Sequence, residues 1–485
     1  MHSRAVVWTR ALLSIGLLLA FAWSKWSARP DKTPILTGDG RSWALVAESS
    51  IASREFWFGS RPFTLPLIYK LAEMSEERVV LFQSVLGVVA WGFFATCIAK
   101  ILPKGFRTLV PLSLVLLTGL SLRVLEWDSV IRSESLAISF LVASVGCAVR
   151  VLLAEGSSRS GWVWVGGALL FGVLSAFARD ANGYFFLIFP ALVIAPWLLL
   201  SQPSIRARVR RQGLAMGLGM VLIAVGGSIN TRESGRYAFP LINVVLRRVL
   251  KNPEKLAYFR DELGLPVSRA LKARAGKFAS ADHRYVYRSP ELAAFRNWIY
   301  ERGYAGYQRY LLSHPGLTWA EAADYMPRLV EWKAGRLASK SANPTSTKVD
   351  AALNELCPPK LAWSVVAGLV ASGAFMQLLR MPRARLLGLL TAAFAILAGL
   401  QCYVVFHGDD MEIGRHGVLV PILLNLGCVL WICAWWFVLS EGLIALFARG
   451  GGHSARRWML PSWRLPDLVR RKARAAALAE RKSVS

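Results

Sequence analysis

LLGLLTAAFAILAGLQCYVVF, Leu386 to Phe406, is a run of 21 residues without a charge. A bilayer's hydrocarbon core is about 30 Å thick and an α-helix rises about 1.5 Å per residue, so roughly twenty apolar residues cross it. The flanks give the run a direction. Arg380, Arg383 and Arg385 stand before it, and HGDDMEIGRH, His407 to His416, follows it. Basic residues collect on the cytoplasmic side of membrane proteins. The run therefore reads as a helix with its basic end inside and its acidic end outside.

The same ruler finds about ten spans. They are Val6–Trp23, Val79–Ile101, Thr108–Leu122, Leu136–Leu153, Trp162–Phe177, Tyr184–Leu200, Leu214–Ile229, Leu361–Leu379, Leu386–Phe406 and Val418–Phe447. The third and fifth are short, and the last is long enough to tilt or break. Val6–Trp23 has the basic start of a signal peptide but no small-residue cleavage site, and reads as a retained anchor. Composition agrees: of 485 residues 54% are hydrophobic and only 18% charged, yet the net charge is +28. A basic chain this apolar suits anionic lipid, not nucleic acid. Alternate loops carry the cations: Lys100, Lys104 and Arg107; Arg150 and Arg159; Arg206, Arg208, Arg210 and Arg211; Arg380, Arg383 and Arg385. That alternation places both termini in the cytoplasm and the chain in the plasma (inner) membrane as a multi-pass protein.

The expected fold is an all-α polytopic membrane protein carrying a mostly helical outer-face module. Residues 1–229 form an N-terminal membrane core, with a first outer loop, 24–78, that includes an interfacial helix in FTLPLIYKL. Residues 230–360 form the outer module, in which PEKLAYFRDEL and ELAAFRNWIYERGYAGYQRYLLSH show helical spacing with prolines at helix starts. SANPTSTK, Ser341 to Lys348, reads as a loop. Residues 361–447 are the C-terminal membrane helices, and 448–485 a basic cytoplasmic tail. The six cysteines have no metal-site or disulfide spacing and read as unpaired thiols.

The chain has no P-loop, no H-E-x-x-H, no G-x-S-x-G and no C-x-x-C. GLAMG, Gly213 to Gly217, reads as a helix-packing pattern. The residues able to do chemistry stand in the acidic loops. TGDGRSWALVAES, Thr37 to Ser49, puts Asp39 beside a glycine, and FGSRPFTLPLIYKL carries Arg61. RVLEWDSVIRSESLAIS, Arg123 to Ser139, holds Asp128 and Glu134 beside Trp127; Glu134 also suits a helix start. ARDANGYFF carries Arg179, with Asp180 able to cap the next helix. The last loop holds His407, Asp409, Asp410, Glu412, Arg415 and His416. Arg415 at the mouth of a span reads either as a clamp for a lipid phosphate, through its planar fork, or as a side chain snorkelling to headgroups. His407, Asp409 and Glu412 leave a divalent-metal site open, with no diagnostic spacing.

TGDG, FGSRPFTLPLIYKL, WDSVIRSESLAIS and EIGRHGVLVPILL, in this order, resemble the GT-C superfamily of integral-membrane glycosyltransferases, which take a sugar from a polyprenyl-phosphate carrier. The resemblance implies that Asp39 lies at the catalytic centre and that later basic residues meet the donor phosphate. It implies a monosaccharide moved from polyprenyl phosphate to an outer-face glycan or lipid acceptor; a divalent metal is possible for the chain but not required.

The chemistry has its own logic. No nucleotide sugar exists outside the cytoplasm, so an activated sugar must arrive on lipid. The reaction needs a base for the acceptor hydroxyl and cations for the departing phosphate. Asp39 is the candidate base. Arg415 is the first candidate for the phosphate, followed by His416, Arg61 and Arg179, with Asp128, Glu134, Asp410 and Glu412 as secondary candidates. Two other classes stay open: a polymerase or ligase of lipid-diphosphate-linked oligosaccharide, and a non-catalytic lipid or sugar transporter. The first has no special need of an acid after the first span. The second calls for charges inside the spans, and almost none is found.

Overall fold

The computed structural model describes residues 2–27, 34–36, 38–103, 105–153, 158–200, 203–331, 344–379 and 381–450. Two compact units divide the chain, Met1–Ala434 and Trp435–Ser485. The second begins inside the last helix, Leu419–Gly450, and the basic tail beyond it lies outside the described residues. Everything below concerns the first unit.

The fold is all-α. Eight helices are long and apolar enough to cross a membrane, from Ala5–Ser27 to Ile413–Ile444. Two expected spans are realised as the shorter apolar helix Phe106–Gly119 and as the helix Ser158–Ala176. Leu12, Leu19, Trp23, Leu199, Leu218 and Leu222 stay exposed, as side chains meant for lipid do.

Helix Ser133–Leu152 is the centre of the bundle, 94% buried over its most apolar window, against 6% for the first helix. Small residues let its neighbours come close. A Cβ on Gly146 would stand 2.8 Å from the Phe93 ring, and one on Gly167 would stand 2.9 Å from the Cys147 sulfur. Close backbone approach of this kind holds membrane helices together where no hydrophobic driving force acts. Gly213 and Gly217 pack on Leu198, Ile194 and Pro190, so the GLAMG pattern serves packing.

FTLPLIYKL folds as the helix Thr64–Leu71, with Thr64, Leu65, Pro66, Ile68 and Tyr69 buried. It shares a core with Trp43, Val79, Ile131 and Phe140. Thr64 locks it down, donating its hydroxyl to Leu174 O at 3.0 Å.

The module has its own core, from Ala238 to Tyr310, in which Phe259, Ile242, Val245, Leu271 and Ile299 are fully enclosed. Prolines open its helices Pro253–Asp261 and Pro315–Val330, where the missing N–H costs nothing. Asn252 caps the first, accepting from Lys255 N at 3.0 Å. Helix Pro344–Leu356 begins inside the stretch read as a loop, again with proline in its first turn; 341–343 lie outside the described residues.

One buried ion pair ties the first helix to the second acidic loop. Lys25 Nζ stands 2.6 Å from Asp128 Oδ2, with side-chain exposures of 1% and 5%. Gly87 makes room for it, since a Cβ there would stand 2.8 Å from Lys25 Cε. Removing one member of such a pair leaves a buried charge alone, at a cost of about 3–5 kcal/mol. Lys25→Met is therefore expected to lower the thermal midpoint sharply in detergent, and Lys25→Met/Asp128→Asn to recover most of the loss. Single and double variants melting together would show that the pair carries no such load.

Candidate functional site

The site begins with how two loops are stitched together. Gln83, a polar residue inside the helix Glu76–Ala99, donates to Trp127 O and Val130 O, both at 3.1 Å. Ile35 N donates to Ser129 O at 3.1 Å, and Ile131 N donates back to Ile35 O at 3.2 Å. The first loop thus pairs with the second just ahead of the helix Gly38–Glu48. Gly40 in that helix is buried, and a Cβ on it would stand 3.3 Å from Ile131 O. Asp39 occupies the same first turn; its side chain lies outside the described residues. One turn on, Ser42 accepts from Arg61 Nε at 2.7 Å, and the Arg61 guanidinium lies 5.4 Å from the Trp43 ring centre.

Arg132 ends the second loop and Glu134 enters the first turn of Ser133–Leu152, where a carboxylate suits the helix dipole. Glu134 is almost fully buried, and two guanidiniums share one of its oxygens: Arg179 Nη1 and Arg415 Nε each stand 3.6 Å from Oε1. Arg179 reaches further, donating to His416 Nδ1 at 2.9 Å and to Arg415 O at 3.2 Å. Because arginine only donates, Nδ1 of His416 accepts. Arg415 also pairs with Glu412 at 2.8 Å. Glu412 has a left-handed backbone, φ 55, which for a residue with a Cβ costs about 1–2 kcal/mol. That turn swings the short helix Ile413–His416 into the cluster.

Two guanidiniums from separate segments reach the His416 ring, Arg179 at Nδ1 (2.9 Å) and Arg415 at Nε2 (3.2 Å). Burial, first of all, disfavours the charge on Arg179; Glu134 supports it, and Arg415 and Arg132 oppose it. An arginine stays cationic through such pressure. The site therefore gathers guanidiniums among largely buried side chains, an arrangement suited to an anion with several oxygens.

Asp409 borders the cluster, its Oδ2 3.7 Å from His416 Nε2. Burial raises its carboxyl to about 6, against the pull of the Met411 and Asp410 N–H groups and the Asn243 amide. A carboxyl raised in the folded state favours folding while protonated. That contribution is complete below the ordinary carboxylate range and is lost as pH rises through about 6. Asp409→Asn, which mimics the protonated acid, is expected to stabilise the protein at pH 7.5 by on the order of 2 kcal/mol and to change little at pH 4. Melting curves across that range check it; equal shifts at both pH values would contradict it.

The other candidates are placed elsewhere. Asp128 is held by Lys25 and by Ser135, whose hydroxyl donates to Oδ1 at 2.8 Å. Asp410 faces the helical module, pairing with Arg247 and, at 2.6 Å, with Arg248 Nε. Asp180 caps nothing; Arg236 grips it with two bonds of 2.9 and 3.0 Å. His407 is enclosed, donating from Nε2 to Thr318 O at 2.9 Å while Tyr307 OH lies 3.1 Å from Nδ1. With both nitrogens engaged, His407 does not join Asp409 and Glu412 as a metal ligand. Among the described residues, no group of three or more His, Cys, Asp and Glu side chains has the arrangement of a metal site.

No protein-family model and no curated protein matches the chain. Among solved structures it is similar to the archaeal oligosaccharyltransferase AglB from Archaeoglobus fulgidus, in complex with an inhibitory peptide and a dolichol-phosphate. The TM-score is 0.45 and the identity 12%, over 97% of this chain and 55% of that one. It is also similar to ArnT from Cupriavidus metallidurans bound to undecaprenyl phosphate, at a TM-score of 0.31 and 15% identity, over 90% of this chain and 80% of that one. Both are GT-C membrane glycosyltransferases. The chain spans about half the length of the oligosaccharyltransferase. At these scores the likenesses decide nothing about substrate or chemistry.

Proposed function

We propose that the chain is a GT-C-type glycosyltransferase that moves a monosaccharide from a polyprenyl phosphate to a glycan or lipid acceptor on the outer face of the membrane. The observation that carries this reading is the convergence of the Arg179 and Arg415 guanidiniums on Glu134 and His416. Arg61 bonds Ser42, one turn on from Asp39, and Arg132 follows Ile131, whose carbonyl lies against Gly40. Glu134 and Glu412 offset part of the positive charge and fix the two best-placed forks, those of Arg179 and Arg415.

In the proposed step an acceptor hydroxyl oxygen attacks the anomeric carbon as the bond from that carbon to the phosphate oxygen breaks. The hydroxyl proton passes to Asp39, and the bonding pair leaves on polyprenyl phosphate, whose gain in charge the guanidiniums stabilise. A single displacement inverts the anomeric centre. The phosphate is a good leaving group without a general acid, so the cations do the larger share of the work.

Purified protein in nanodiscs, given a synthetic polyprenyl-phosphate monosaccharide and an envelope glycan acceptor, is expected to release polyprenyl phosphate and form the inverted glycoside. Donor that stays intact at high enzyme concentration would refute the reading.

A further inference from the structure

Five tyrosines form a strip that starts on a membrane helix and continues over the module. Tyr184, four residues after Asp180, stands in the first turn of Gly183–Phe189. It lies near Tyr304, the first residue of Tyr304–Ser313. The Tyr304 ring leans on Tyr237, centroids 4.9 Å apart, and Tyr237 OH donates to Tyr300 O at 3.0 Å. The Tyr300 ring lies over the Gly235 turn, whose φ is +68; a Cβ there would meet Tyr300 Cε1 at 3.8 Å. Tyr287 lies near enough to feel the Tyr300 phenol, and its ring stacks nearly parallel to Phe239 at 6.5 Å. The strip is open: Tyr184 is 44% and Tyr300 52% exposed, and the other three are half-buried.

This is costly surface to leave uncovered unless something covers it in use. The exposed face of a spanning helix is mostly aliphatic, as at Leu199, Leu218 and Leu222. The strip instead sets phenols in a charged frame, with Arg232, Glu233, Arg288, Glu301 and Arg302 all exposed. That pattern fits a chain of sugars. A pyranose presents a face of C–H bonds, which the negative face of an aromatic ring attracts, and a rim of hydroxyls, which phenols and charged groups bond.

Resting on the transferase reading above, we propose that this strip holds the acceptor glycan. The sugar at its Tyr184 end then lies beside Asp180 and next to Arg179, and presents its hydroxyl to the reaction site. Acceptors of several sugars use the whole strip, and a single sugar uses only its end.

The test measures initial rates with the synthetic donor and the lipid-free, end-labelled glycan fraction released from the envelope of the producing cell. Tyr300→Ala is expected to raise the acceptor KM about ten-fold, the size of one stacking contact, with the donor KM unchanged. Tyr300→Trp, which keeps a stacking face, is expected to restore it. An unchanged acceptor KM overturns the proposal, as does an equal loss for both substrates, which contact with lipid would produce. If the wild-type protein turns over no donor, the transferase reading fails by itself. The strip is then judged by direct binding of the labelled glycan to the nanodisc protein. Binding lost in Tyr300→Ala supports it, and no binding by the wild type overturns it.

Discussion

Asp39→Asn is expected to cut turnover by roughly 10²–10⁴-fold while leaving the protein folded. Asparagine has almost the shape of aspartate and serves nearly as well in the first turn of a helix, so the Gly38–Glu48 helix should keep its seat. What the amide lacks is a basic oxygen. The acceptor hydroxyl would then attack without losing its proton, and the loss should fall on kcat, with both KM values nearly unchanged. The same variant separates the chain from a ligase of lipid-diphosphate oligosaccharides, which has no special use for an acid at that place. Near-normal turnover would remove Asp39 as the base. Glu134 is a poor substitute, since it is buried and two guanidiniums share one of its oxygens.

Arg415→Ala is expected to lower kcat/KM for the donor by about 10²–10³-fold, the usual loss when one preorganised donor to a developing charge is removed. Arg415 is the better test than Arg179, because Arg179 is deeper and still neutralises Glu134 when Arg415 is gone. Arg415→Lys keeps the charge but not the planar fork, and should recover only part of the loss. The acceptor KM should not move. An unchanged donor kcat/KM would show that Arg415 holds structure, through Glu412 and Glu134, and no phosphate.

Much of this protein was legible from charge and length. The uncharged run at Leu386–Phe406 is the core of the helix Pro382–Gly408, and the prolines at 253 and 315 do open helices. Of the phosphate candidates, Arg179, Arg415 and His416 lie within hydrogen-bonding reach of one another, while Arg61 bonds Ser42. What was illegible is which acid already has a partner. Asp128 and Asp410 looked as available as Glu134, but Lys25 and the Arg247–Arg248 pair, each about a hundred residues or more away in sequence, hold them. His407 looked like a ligand because the residues that enclose it, Tyr307 and Thr318, come from a distant module. Arg132 was passed over among alternating charges. Its signal was its place two residues ahead of Glu134, at the junction of loop and helix. Gln83 was hidden for the opposite reason: a lone amide in an apolar run has meaning only once the loop carbonyls it bonds are known.

The most direct measurement is a structure of the protein in nanodiscs with a non-hydrolysable polyprenyl-phosphosugar bound. The phosphate oxygens should lie within about 3 Å of guanidinium nitrogens of Arg415 and its neighbours around His416, with the Asp39 carboxylate open to the anomeric carbon's far side. A phosphate bound away from that cluster, or an Asp39 side chain closed off in a salt bridge with the donor in place, would contradict the account.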